Sequence, residues 1–278
     1  MQRCDYGWFS AKQPLGAHFE MTTAVSGSSA SITETLVALA RRYPAPLVQN
    51  QLHGVPRNAF HVELVRKLVR TERAEIADIG GGIGTFSPGC AALGMTITLV
   101  DDFGDQVNLT EPGANALALH RELGVRVEVC DATRGLTLPR EHFDAITCFD
   151  AMEHWHNSPK TLFHGLVESL RSGGWFIVSV PNCVNLRKRI TVPFGFGKWS
   201  PISLWYDEPV FRGHVREPDV DDLRYIAADL GLKDVRVFGR NWMGFTRPAL
   251  RSIMPLIDAV LRMRPSLCGN LYMAGKKP

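Results

Sequence analysis

The 278-residue sequence predicts an α/β fold, a seven-stranded, mostly parallel sheet with helices on both faces. Three observations predict it. From residue 75 to residue 182, short apolar strands alternate with amphipathic helices, the rhythm of βαβ units. The stretch 75–86, EIADIGGGIGTF, packs four glycines into five residues directly behind the first strand. Acids recur where later strands end, at Asp101, Asp131 and Asp150. Crossovers in such a sheet are right-handed and ligands gather at the carboxyl ends of the strands. One ligand would therefore touch the glycine turn and all three acids.

Residues 1–56 read as an N-terminal segment, partly helical. Residues 1–20 carry no pattern and are expected to be loosely ordered or to precede the native start, for which Met21 would serve. SITETLVALARRY (31–43) reads as a helix: Ser31 and Glu34 fit a capping box, Leu36, Leu39 and Ala40 share a face, and Pro44 and Pro46 stop it. A second helix fits AFHVELVRKLVR (59–70), with Val62, Val65, Leu68 and Val69 on one side.

Residues 57–278 form the main domain. EIADI is its first strand, TFSPGCAALG a short helix ended by Gly94, and TITLVD a β-branched strand. EPGANALALHRELG is a helix with Pro112 in its first turn and Gly124 at its end. VRVEVCD and HFDAITCFD are strands. SPKTLFHGLVESLRSGG is a helix closing on Gly173 and Gly174, and WFIVSVPN a buried strand. Residues 182–216 hold too many Trp, Phe and Tyr to stay solvated, so they are expected to form a cap over the strand ends. EPDVDDLRYIAADLG is a helix and KDVRVFGRNW a strand. An amphipathic helical insertion covers 245–265, and NLYMAGKK is the last strand.

Composition narrows the function classes. With 45% apolar and 21% charged residues, the chain is an ordinary globular one. The most apolar late stretch is broken by Arg251, Asp258 and Arg262, so no membrane span is expected. No apolar core fits a secretory signal, and the six scattered cysteines lack a C-x-x-C pair. Buried thiols, a cytoplasmic location and no metal site are the expectation. Residues 1–181 carry 15 Lys/Arg against 19 Asp/Glu, a net −4, and residues 182–278 carry 16 against 9, a net +7. The basic last third is either a solvated surface or a meeting place for an anionic acceptor or a membrane surface. The basic residues form no long stripe, which speaks against nucleic acid.

The glycine turn fits neither common phosphate pattern. Gly80 and Gly82 supply two places of G-x-G-x-x-G, but the third falls on Thr85, and no Gly-Lys-Ser/Thr follows. Taken with the segments after it, the turn resembles another family. ADIGGGIGTF, VDD at 100–102, CDA at 130–132 and FDAITCFDAMEHW followed by SLRSGGWFIVSVPN are similar, in order and spacing, to motifs of the class I S-adenosylmethionine-dependent methyltransferases. The likeness is to the broad group that includes the ubiquinone-biosynthesis enzymes. It runs roughly from residue 57 to residue 180.

The resemblance implies a Rossmann-like sheet, with 57–278 the methyltransferase domain, and S-adenosyl-L-methionine as cofactor. The backbone at Gly80, Gly82 and Gly84 would approach the amino-acid part. Asp78 would hold either the turn or the ammonium group. Asp101 would take the ribose hydroxyls, with Asp102 less favoured because strand alternation points it away. Asp131 and Ala132 would lie near the adenine, and Asp150 at the cofactor's edge. A hydroxyl acceptor needs its proton removed, and His214 ranks just above His154 as the base, with His156 less typical. Each histidine reads equally well as a structural, hydrogen-bonded one. Glu153 would position the cofactor or a water, and Asp150 and Glu153 alone are too few for magnesium.

Trp199, Trp205, Tyr206 and Phe211 are candidate walls of an acceptor site, or a cluster that holds the cap down. Arg187, Lys188, Arg189 and Arg212 are candidates to meet phosphate. The expected reaction is O-methylation of a sugar, glycan or secondary-metabolite hydroxyl on a small-molecule, anionic or lipid-linked acceptor. Two other readings compete: a methyltransferase fold that only binds, and a nicotinamide-dependent oxidoreductase, against which the misplaced third glycine speaks.

Overall fold

The computed structural model describes residues 29–71, 73–197, 200–242 and 252–278. Its centre is a seven-stranded sheet of order β3-β2-β1-β4-β5-β7-β6. The strands are β1 (Glu75–Ile79), β2 (Thr96–Asp101), β3 (Arg126–Val129), β4 (Phe143–Phe149), β5 (Leu170–Pro181), β6 (Lys233–Arg240) and β7 (Asn270–Lys276). β1 to β5 run parallel, and β7 is antiparallel to both β5 and β6. Alternation along each strand sends side chains to two cores. Ile76, Ile97 and Ile177 face one, with the helices α1 (Ser29–Ala40), α2 (Ala45–Val69), α3 (Phe86–Ala92) and α4 (Glu111–Glu122). Ala77, Ile146, Phe176 and Val178 face the other, with α5 (Lys160–Ser169) and α8 (Val220–Asp229).

The N-terminal helices differ from expectation. α1 begins at Ser29, so Ser31 lies inside it and accepts a bond from the Thr35 hydroxyl at its carbonyl, in place of the expected capping box. Pro44 and Pro46 do not stop α1, which ends at Ala40; they open α2, where a missing N–H is harmless. α2 begins at Ala45, not at residue 59, and continues through Pro56. Buried Leu47, Gln51, Val55 and Val62 on either side of that proline hold it against the rest of the core.

Gly173 and Gly174 do not end α5, which stops at Ser169. They sit in the first turn of β5, where pairing jumps from Phe143↔Leu170 to Ala145↔Trp175. Gly173 has φ +77°, and a Cβ on Gly174 would stand 2.9 Å from the Arg171 carbonyl oxygen. Glycine is required by this bulge.

Residues 182–216, the expected cap, hold α6 (Leu186–Thr191), a 3-10 turn at Val192–Phe194 and α7 (Ser203–Tyr206). The expected late helix is α9 (Met254–Arg262), while 243–251, with the start of the 245–265 insertion, lie outside the described residues. Residues 1–20 and Trp199 also lie outside them. The five described cysteines are free. No described helix is long and apolar enough to cross a membrane.

Candidate active site

The glycine turn leaves the end of β1, and its members do different things. Gly80 has φ +71°, and a Cβ there would stand 2.4 Å from the Cβ of Ala151, so this glycine lets β1 pass the end of β4. Gly82 has φ +57°, and a Cβ there would meet no heavy atom within 4 Å. It borders open space. Gly84 accepts from the Tyr43 hydroxyl at 3.0 Å through its carbonyl.

Asp78 lies under the turn, not on its open side. It is 1% exposed, and its carboxylate accepts from the Ser87 hydroxyl at 2.7 Å and the Thr147 hydroxyl at 2.8 Å. Of its two expected roles, the geometry gives it the holding of the turn. Burial raises its pKa from 3.8 to about 6.

Asp101 closes β2 and reaches back. One of its oxygens accepts from the Gly82 N–H at 3.0 Å and the other from the Phe103 N–H at 2.6 Å. Each oxygen keeps a further lone pair for a ligand. Asp102 turns to Arg212, whose Nη1 donates to both its oxygens at 3.0 Å. Its Oδ1 also accepts from the Gly104 N–H at 2.8 Å. Asp131 caps a 3-10 turn, accepting from the Thr133 N–H at 3.0 Å and pairing with Arg134 at 2.8 Å; Ala132 is buried behind it. Asp150, at φ +49°, pairs with Arg57 of α2 at 3.0 Å. The parallel order β3-β2-β1-β4 places these groups along one rim.

A second cluster stands beside the rim. The segment 211–217 folds back on the turn after β4: the Val215 and Arg216 N–H groups donate to the Glu153 carbonyl at 2.6 and 3.2 Å, and His156 Nε2 donates to the Phe211 carbonyl at 3.0 Å. His154 and His214 thereby meet edge to face, with ring centroids 4.9 Å apart. His154 donates through Nδ1 to the Arg212 carbonyl at 2.7 Å. His214 donates through Nδ1 to Glu217 Oε1 at 2.8 Å, and the other Glu217 oxygen accepts from Lys188. Against burial, which works the other way, the bonds from His214 and Lys188 hold Glu217 below its ordinary pKa. Glu153 is buried, and burial with the nearby Asp150 charge pushes its pKa to about 9.

His214 also lines a cavity of about 440 Å³ with His156, Ile202, Trp205, Phe211 and Val215. Of the expected walls, Trp205 and Phe211 are there, while Tyr206 is exposed and not part of the lining. Three of the four expected phosphate-binding cations are engaged elsewhere: Lys188 with Glu217, Arg212 with Asp102, and Arg189 with the Val184 and Ser266 carbonyls. Sequence reasoning missed Glu217 and Arg57. The first had a signal, a carboxylate three residues after a histidine in GHVREP. The second had none, since only the fold brings α2 to the end of β4.

The chain is similar to known proteins. A family model described as a methyltransferase domain matches residues 53–237. The mitochondrial ubiquinone biosynthesis O-methyltransferase of Schizosaccharomyces pombe is 28% identical over 134 residues, which is 48% of this chain and 47% of that one. The ubiquinone biosynthesis O-methyltransferase of Xanthomonas axonopodis pv. citri is 28% identical over 153 residues, 54% of this chain and 60% of that one. The matches thus span only about half the length of these curated relatives. A SAM-dependent methyltransferase structure from Archaeoglobus fulgidus superposes with a TM-score of 0.51 at 19% identity, over 79% of this chain and 94% of that one. That likeness concerns the fold.

Proposed function

This chain belongs to the methyltransferase domain family, and from that premise we propose that it methylates a hydroxyl oxygen on an acceptor with an apolar body. Its cofactor is S-adenosylmethionine. The site fits that molecule: Gly82 opens onto free space that a Cβ would fill, and Asp101 stands next to it with lone pairs to offer. Gly80, Gly82 and Gly84 would hold the amino-acid part, Asp101 the ribose hydroxyls, and Asp131 with Ala132 the adenine. The bound cofactor supplies an electrophilic methyl group on a sulfonium that leaves as a neutral thioether.

The remaining work falls to the chain. Asp101→Ala is expected to weaken binding of S-adenosylhomocysteine by about 1–3 kcal/mol, the range for a hydrogen bond to a charged group. Calorimetric titration measures it, and an unchanged dissociation constant would take the ribose role from this residue.

The observation that carries the acceptor reading is the His214–Glu217 pair on the wall of an apolar cavity. With Nδ1–H held by a carboxylate, the neutral ring presents Nε2 as its lone pair. A proton arriving there is stabilised by Glu217, so His214 is oriented as a general base. The lining favours an aromatic or lipid-like body, and the engaged Lys188, Arg189 and Arg212 favour an acceptor without phosphate beside the reacting hydroxyl. A secondary-metabolite or lipid-linked hydroxyl suits these features better than a sugar phosphate. The ubiquinone-pathway names of the two relatives support the same class.

A peripheral membrane contact would deliver a lipid-linked acceptor. The outward face of α9 supports it, with Ile253, Leu256, Val260 and Met263 exposed beside Arg262 and Arg264.

The test offers the protein labelled S-adenosylmethionine and a panel of phenols, prenylated phenols and glycans. Transfer to a hydroxyl acceptor is expected. His214→Ala should lower turnover by about 10²–10⁴ while S-adenosylhomocysteine still binds. Full turnover in that variant would remove His214 from the reaction.

A further inference from the structure

Glu153, His154 and His214 surround one point beside the acceptor cavity. Each offers one donor atom, and the three atoms lie within 4.8 Å of one another. Three further features bear on what belongs there. Glu153 is 1% exposed, and its Oε2 has no hydrogen-bond partner among the described residues. A buried carboxyl oxygen left so is costly unless something electropositive meets it. Both histidines use Nδ1–H in a hydrogen bond, His154 to a carbonyl and His214 to a carboxylate. This is the outer-shell support that fixes the tautomer of metal-binding imidazoles and leaves Nε2 as the donor. Two further carboxylates stand next to these side chains, Glu217 bonded to His214 and Asp150 three residues before Glu153, each also paired with a cation, Lys188 and Arg57.

We propose that Glu153, His154 and His214 bind one divalent transition-metal ion, of the zinc or cobalt kind, with an open position toward the cavity that His214 lines. Two imidazoles and one carboxylate suit such ions, whereas magnesium and calcium take oxygen ligands. Ligands at about 2.0–2.1 Å around four-coordinate zinc stand about 3.3 Å from one another. The donors therefore need to close by no more than about 1.5 Å, within reach of side-chain rotation.

The inference rests on the placement of the acceptor beside His214 and changes one role. A nitrogen that holds a cation cannot take a proton. In the metal-loaded protein the acceptor hydroxyl would occupy the open position and be acidified by the ion, its proton leaving to solvent water. In the metal-free protein His214 takes the proton.

The experiment is a titration of chelator-treated full-length protein with Co²⁺, followed by visible absorption, then competition with Zn²⁺ and with Mg²⁺. One equivalent of cobalt should bind with ligand-field bands that zinc abolishes and magnesium leaves unchanged. His154→Ala and His214→Ala should each weaken binding at least about 100-fold. Glu217→Gln, which leaves the three ligands in place, should weaken it about 10–100-fold. Calorimetry with S-adenosylhomocysteine checks that each variant is folded. Absence of a saturable band in the unmutated protein, or cobalt binding that survives both histidine substitutions, overturns the site. Failure of S-adenosylhomocysteine to bind the unmutated protein would instead strike the methyl-transfer reading and leave the cobalt result standing.

Discussion

Gly82→Val abolishes cofactor binding and leaves the chain folded. The position is left-handed, at φ +57°, which costs a β-branched residue on the order of 1–2 kcal/mol or somewhat more. A domain with about 5–15 kcal/mol of stability tolerates that. A Cβ there has no heavy atom within 4 Å, so the added side chain has room. Its bulk goes where the ligand lies. Calorimetry should show S-adenosylhomocysteine binding at least about 100-fold weaker, about 2.7 kcal/mol, with a melting point only a few degrees lower. Ordinary affinity in the variant would place the cofactor elsewhere. Gly80→Val makes the contrast. There a Cβ would stand 2.4 Å from Ala151, so the same substitution two residues earlier should unfold the protein.

Asp78→Asn is expected to change how stability depends on pH. The folded carboxyl titrates at about 6 and the ordinary value is 3.8. As pH rises, the unfolded chain therefore gives up this proton first. Below about pH 4 both states are protonated and nothing is lost. Between about pH 4 and 6 the folded state weakens, and above 6 the loss is complete. About two units at roughly 1.4 kcal/mol each amount to about 3 kcal/mol. Asparagine cannot ionise, and the Ser87 and Thr147 hydroxyls can turn to serve it. Urea denaturation at pH 4 and pH 7 should show the variant gaining about 3 kcal/mol on the native protein across that interval. A difference that stays constant with pH would mean the carboxyl is ionised throughout and its burial is relieved in some other way.

The sheet could be read from the sequence because its signals are local. β1, β2, β4 and β5 announce themselves by apolar runs and β3 by alternation, and the acids at 101, 131 and 150 mark where they end. Local signals also misled. The second helix reads as 59–70, yet α2 begins at Ala45 and continues through Pro56 because tertiary burial outweighs one lost hydrogen bond. Gly173 and Gly174 read as a helix end, yet serve a bulge. Asp102 sits beside Asp101 in sequence, but alternation sends it to Arg212. The cluster of Glu153, His154, His214 and Glu217 could not be assembled from sequence. It joins segments 60 residues apart, and its glue is backbone N–H groups bonded to the Glu153 carbonyl, which carry no side-chain signature.

β7 occupies an interior place in the sheet, between β5 and β6, although it is synthesised after both. While a ribosome is still making residues 241–269, β5 has one edge without a neighbour and β6 has no strand to pair with. Among the described strands, β7 (270–276) is the one that pairs with both. An apolar edge left open is a template for pairing between chains, so β5 and β6 are exposed to aggregation until β7 pairs with both. The order of synthesis thus leaves the sealing of the sheet to β7.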